Sequence, residues 1–115
     1  MTRVHEDGLH EHVARAVRLF AAAGCQVIIM SGRTADAKED SARWLRSHGV
    51  PFDHLLFRAE GDNRPDQVVK HELFCAHVAG IFEVLAVFDD RLRAARLWHS
   101  LGLPLFRVGD PDANF

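Results

Sequence analysis

Cys25-Gln26-Val27-Ile28-Ile29-Met30 is a short, nearly unbroken apolar run rich in β-branched residues, and Ser31-Gly32-Arg33-Thr34 ends it. A half-solvated strand would alternate apolar and polar side chains, so an unbroken run marks a strand buried on both faces, as in a parallel sheet. On its N-terminal side, Leu9 to Ala23 carries Val13, Ala16, Val17 and Phe20 at helical spacing, with Glu11, Arg15 and Arg18 opposite. That pattern predicts an amphipathic helix closed by Gly24.

Downstream, a second helix is expected from Ala37 to His48, stopped by Gly49 and Pro51. His54 to Phe57 is a weaker strand candidate, and Arg58 to Arg64 a polar loop that turns at Gly61. Pro65 suits the first turn of a third helix and Asp66 its positive dipole end, with Val69, Leu73 and Ala76 on one face to about Val78. Val84 to Phe88 predicts another strand buried on both faces, ending in Asp89-Asp90. Arg91 to Leu101 predicts a helix with Ala94, Leu97, Trp98 and Leu101 together, and Leu103 to Val108 a last strand.

Helix and strand alternate throughout, and parallel neighbours need crossover connections. The order therefore predicts one α/β domain over residues 1–115, a Rossmann-like parallel sheet flanked by helices. In such sheets ligands collect at the carboxyl ends of strands, which singles out Ser31-Gly32-Arg33, Arg58 to Asp66, and Asp89-Asp90.

Composition narrows the class without naming a function. The chain is 48% hydrophobic and 26% charged, with no apolar run near the roughly 20 residues a bilayer requires. The start, Met1 to Asp7, has no apolar segment of the secretory kind, which points to the cytoplasm. Cys25 and Cys75 lie in apolar patterns and are expected as reduced core residues. A net charge of −2 does not advertise a nucleic-acid surface, although Arg58, Arg64, Arg91, Arg93 and Arg96 cluster near one end of the sheet. His10 and His12 are too closely spaced to share a helix face, which argues against zinc.

The three loops together supply a hydroxyl, guanidiniums, one lysine and two adjacent carboxylates. Ser31 with the amides of Gly32 and Arg33 suits phosphate oxygens, Arg33 a bidentate contact, and Lys70 charge neutralisation. Asp66 and Lys70 are four apart and share a helix face. Asp89 and Asp90 would repel unless a cation lay beside them, and oxygen ligands of that kind suit magnesium. Each piece alone is an ordinary turn, a surface lysine or a helix cap; their order gives them weight.

That order resembles the phosphatase domain of phage-type polynucleotide kinases, of the haloacid dehalogenase (HAD) superfamily. The resemblance rests on Ile28 to Arg33, Lys38-Glu39-Asp40, Gly61-Asp62-Asn63-Arg64-Pro65-Asp66-Gln67-Val68-Val69-Lys70, Val87-Phe88-Asp89-Asp90-Arg91, and the ending before Phe115. It implies that Ser31 hydrogen-bonds the transferring phosphoryl group, that Arg33 is needed for phosphatase activity, that Lys70 stabilises the phosphoryl charge, that Asp66 is essential, and that Asp90, with Asp89 its less critical neighbour, binds magnesium. It also implies hydrolysis of 3′-phosphates on nucleic-acid ends through an aspartyl-phosphate intermediate, and a bacteriophage source.

The first motif of that family, a buried strand ending in Asp-x-Asp-Gly-Thr, has no counterpart here. The nearest imitation, His5-Glu6-Asp7-Gly8-Leu9, puts His5 in the nucleophile position. The HAD-like sheet is thus expected to be incomplete, closed by direct pairing of its flanking strands, by a second copy or by a partner chain, and the chain alone to be inactive. The other reading is a non-catalytic binding or regulatory module descended from the phosphatase, self-associating to complete the sheet. No Gly-rich loop followed by Lys-Ser or Lys-Thr occurs, which excludes 5′-kinase activity.

Overall fold

A computed structural model describes residues 11–89 and 92–107. Helix α1 (Glu11–Ala22) leads to strand β1 (Ile28–Thr34), a 3-10 turn (Ala35–Ala37), helix α2 (Lys38–Ser47) and strand β2 (His54–Arg58). Then come helix α3 (Asp66–His77), strand β3 (Val87–Asp89), helix α4 (Leu92–Ser100) and strand β4 (Leu105–Arg107). The chain divides into two compact units at Asp62 and Asn63. Each holds one two-stranded parallel sheet with its helices, β1 beside β2 in the first unit and β3 beside β4 in the second.

In the first unit, α1 ends where Gly24 takes φ +93°, a conformation that costs a glycine little. Its buried stripe is Val13, Ala14 and Val17, rotated from the expected one so that Ala14 replaces Ala16. Arg18 reaches from α1 to the end of α2, where Nε donates to the carbonyl of Gly49 at 3.0 Å and Nη2 to that of His48 at 3.3 Å. These are carbonyls that a helix end leaves without an intrahelical partner. Ala42, Leu45, Val50, Ile29 and Leu55 complete the buried apolar set of this unit.

Strand β1 differs from the expected one at both ends. It begins at Ile28, because the amide of Val27 is held by a side chain, Oδ2 of Asp53 at 2.7 Å, instead of a ladder partner. It also continues through Ser31-Gly32-Arg33-Thr34, where a break was expected. The register explains this: Ser31 pairs with Phe57 and Thr34 with Arg58, so Gly32 and Arg33 form a bulge. A bulge keeps the chain extended while re-aiming the side chains it carries.

The second unit buries Val69, Val78, Ala94, Ala95 and Trp98. Strand β3 is shorter than expected and runs one residue further, to Asp89; Leu85, expected inside it, is 54% exposed. The expected burial on both faces is not reached, since only Asp89 of this strand is buried. On α3, Ala76 is exposed and the buried positions are Val69 and Lys70. Cys75 is exposed and Cys25 half-buried, so neither is the core residue expected, and both are free thiols. Among the described residues no helix is long and apolar enough to cross a membrane.

Candidate active site

Two clusters of candidate residues stand at strand ends, one in each unit. In the first, Ser31 is buried in β1, and its Oγ accepts a hydrogen bond from the Arg33 amide at 3.1 Å. The hydroxyl thereby braces its own bulge and keeps its proton for donation. The Arg33 amide, expected to face a phosphate, is spent inside the loop.

Arg58 fixes the same bulge from the end of β2. Its Nε donates to the Gly32 carbonyl at 2.6 Å and its Nη1 to the Asp62 carbonyl at 3.0 Å. One planar guanidinium thus ties the Ser31-Gly32-Arg33 bulge to the polar loop after β2, using donors in a rigid fork. In the sequence Arg58 is only one of several arginines near a strand end. Its role depends on the parallel pairing of β1 with β2, which periodicity cannot disclose.

The second cluster is built on α3. Lys70 has no exposed surface, although a lysine in an arbitrary sequence is a surface residue. Its Nζ lies 2.8 Å from Oδ2 of Asp89 and 3.2 Å from Oδ2 of Asp66, one helical turn earlier. Oδ2 of Asp89 also accepts a hydrogen bond from Nε1 of Trp98 at 3.0 Å. Burial alone would raise the Asp89 pKa, but the Lys70 ammonium and the hydrogen bonds from Lys70 and Trp98 overcome it, and the value falls to about 2. Trp98 was expected only as an apolar helix-face residue; its N–H is the signal that periodicity ignores.

Arg64 stands apart from this cluster. Its guanidinium grips Glu72 through two hydrogen bonds, Nη1 to Oε2 at 2.7 Å and Nη2 to Oε1 at 3.2 Å. That pair fastens the polar loop to α3. Asp90 and the imitation motif at His5 to Leu9 lie outside the described residues. Among the described residues no three His, Cys, Asp or Glu side chains converge as a metal site.

The arrangement offers a hydroxyl donor and an arginine on a braced bulge, and a sealed ammonium held by two carboxylates.

Comparison with known proteins gives the chain's relatives. A model of the polynucleotide kinase PNKP phosphatase domain matches residues 1–113. The proposed bifunctional polynucleotide kinase/RNA ligase of Autographa californica nuclear polyhedrosis virus is 30% identical over 104 residues, which are 89% of this chain and 15% of the viral protein. A chain in the structure of the Pnkp1/Rnl/Hen1 RNA repair complex matches with a TM-score of 0.88 at 33% identity, over 94% of this chain and 35% of that one. A chain in a second structure of the Pnkp1/Rnl/Hen1 complex gives 0.86 at 34% identity, over 91% of this chain and 38% of that one. The chain therefore spans well under half the length of each of these relatives.

Proposed function

We propose that this chain, which belongs to the polynucleotide kinase PNKP phosphatase domain family, carries the phosphate-handling part of an enzyme that hydrolyses phosphate monoesters at nucleic-acid 3′ ends. The observation that carries this reading is the sealed Lys70, held between Asp66 and Asp89 at the end of the most family-specific stretch of the sequence. A buried ion pair is a poor device for stability compared with apolar packing, so its retention supports a task for the charge.

In this reading the Ser31 hydroxyl and the Gly32 amide donate to phosphoryl oxygens, and Arg33 adds a bidentate contact. Lys70 neutralises charge as it develops on the phosphoryl group. Asp66 and Asp89 hold that ammonium in place.

Magnesium is the cation of this superfamily, and Asp90 is the ligand the resemblance assigns. The described carboxylates do not complete a metal site by themselves: Oδ2 of Asp89 is held by two N–H donors, so a cation could be met only through its other oxygen. When bound, the ion would supply electrostatic stabilisation to the transferring phosphoryl group.

The 115 residues contain no Asp-x-Asp-Gly-Thr, and we infer that turnover needs a strand supplied by another segment, a second copy or a partner chain. Among the described strands β1 is hydrogen-bonded to β2 alone and β3 to β4 alone, which supports room for a further strand at each. The solved relatives come from an RNA repair complex, which supports partner chains and RNA ends as the setting. The cytoplasm, where free thiols such as Cys25 and Cys75 persist, suits this reading.

The test is release of inorganic phosphate from a 3′-phosphorylated oligonucleotide with magnesium, by the chain alone and with a peptide carrying Asp-x-Asp-Gly-Thr. Turnover only with the peptide, abolished by Lys70→Met, is the expected result. Turnover by the chain alone, abolished by Asp90→Ala, would establish the enzyme and overturn the need for a second segment. Tight binding of the oligonucleotide without turnover in either case would favour a non-catalytic binding module instead.

A further inference from the structure

We propose that Trp98 is a positioning residue that acts through Asp89 to fix the ammonium of Lys70, an inference that deepens the reading above and rests on it. Trp98 lies on α4 and is 3% exposed, with its Nε1 donating to Oδ2 of Asp89 at 3.0 Å. The same oxygen accepts from Nζ of Lys70 at 2.8 Å. Phe74 stands one turn beyond Lys70 on α3 and meets the indole edge-on, with ring centroids 5.8 Å apart and planes at 65°. Helices α3 and α4 are thereby tied to the end of β3 through a single carboxylate oxygen.

The need for such a tie follows from the strand. Asp89 is the last residue of a three-residue strand that among the described strands pairs with β4, so the backbone ladder described gives it little restraint. Lys70 carries its charge on a flexible four-carbon stem. A carboxylate and an ammonium on a flexible stem can swing together. A third contact is required to set where the carboxylate points, and an indole N–H suits it: it donates only, is not ionised at working pH, and sits on a rigid ring. Asp89 takes one of the three ammonium donors, and Asp66 stands 3.2 Å from the same nitrogen as its second ion-pair partner.

Trp98 as simple core filling makes a different prediction. Trp98→Phe keeps an aromatic ring against Phe74 and removes only the N–H, whereas Phe74→Leu removes the ring contact and keeps the N–H. In the isotopically labelled chain, the Lys70 ammonium is expected to show slow hydrogen exchange. Exchange should speed up at least about tenfold in Trp98→Phe, because a bond to a charged group is lost, and stay within about twofold in Phe74→Leu. Asp89→Asn should also move the Trp98 indole N–H resonance; with two tryptophans in the chain, the Trp44 signal serves as the internal control. An unchanged Lys70 exchange rate in Trp98→Phe, or an indole signal indifferent to Asp89→Asn, overturns the proposal. Neither measurement requires turnover, so failure here is distinct from failure of the phosphatase reading. Binding of inorganic phosphate by the unmodified chain tests that reading separately.

Discussion

Nζ of Lys70 and Oδ2 of Asp89 stand 2.8 Å apart, with side-chain exposures of 1% and 3%. Two charges sealed at that distance are bound to each other by necessity as much as by attraction. Neither can regain its water if the other is removed. Asp66 adds a second carboxylate at 3.2 Å, so one ammonium answers for two acids.

Replacing Lys70 by Met is therefore expected to cost far more than the exchange of one surface charge. It leaves Asp89 buried without its cation, a change of about 3–5 kcal/mol in other buried pairs. Urea unfolding should show this as a lower midpoint with an unchanged slope. Lys70→Met combined with Asp89→Asn should recover part of the loss, because the stranded charge goes with its partner. A double variant as unstable as the sum of the singles would show that the two residues are not coupled.

The same pair sets a pH dependence. The Asp89 carboxyl ionises near pH 2 in the folded chain, against an ordinary value of 3.8. Its folded pKa is depressed, so the stability it contributes is fully present above about pH 4 and is lost as the pH falls toward 2. The contribution amounts to about 2 kcal/mol by linkage. Thermal unfolding followed from pH 5 to pH 2 should show this acid limb, and Asp89→Asn should flatten it. A variant that keeps the full acid limb would assign it to other carboxylates.

The sequence made the alternation of helix and strand legible, because each apolar run and glycine stop is a local signal. The strand ends were less legible. Ser31 to Thr34 reads as a break, yet β2 lends it hydrogen-bond partners around a bulge, which is information stored some 26 residues away in Asp53 to Arg58. Val84 to Ala86 reads as strand by composition but stands outside β3, so apolar character alone did not fix the pairing. At the site, the Asp66–Lys70 relation followed from helical spacing, and the Lys70–Asp89 contact did not, since it joins α3 to β3. Trp98 was hidden for another reason: its apolar ring satisfied the helix pattern and masked its polar edge.

Arg58 offers a test of the bulge that is independent of the buried pair. Its two hydrogen bonds to the Gly32 and Asp62 carbonyls use two differently directed donors of one planar fork. A lysine cannot reproduce that geometry from a single ammonium. Arg58→Lys is therefore expected to behave nearly as badly as Arg58→Ala, at about 1–3 kcal/mol. Amide exchange should rise in residues 31–34 and 59–62 and stay unchanged in α3. Retention of protection in Arg58→Lys would mean that a charge suffices and the fork is not used.

The last expectation tests whether Arg33 and Lys70 meet the same anion. Ser31 braces the bulge that carries Arg33, and Asp66 with Asp89 holds Lys70. If both grip one phosphoryl group, their contributions to binding a 3′-phosphorylated oligonucleotide must depend on each other. Arg33→Gln and Lys70→Gln should each weaken binding by roughly tenfold or more, as the loss of a charged contact does. The double variant should lose less than the product of the two, since the phosphate already freed from one anchor cannot be held well by the other. A 3′-hydroxyl oligonucleotide lacks the group in question and should bind equally to all four proteins. Strict additivity with the phosphorylated ligand would separate Arg33 from Lys70 and assign them to different anions.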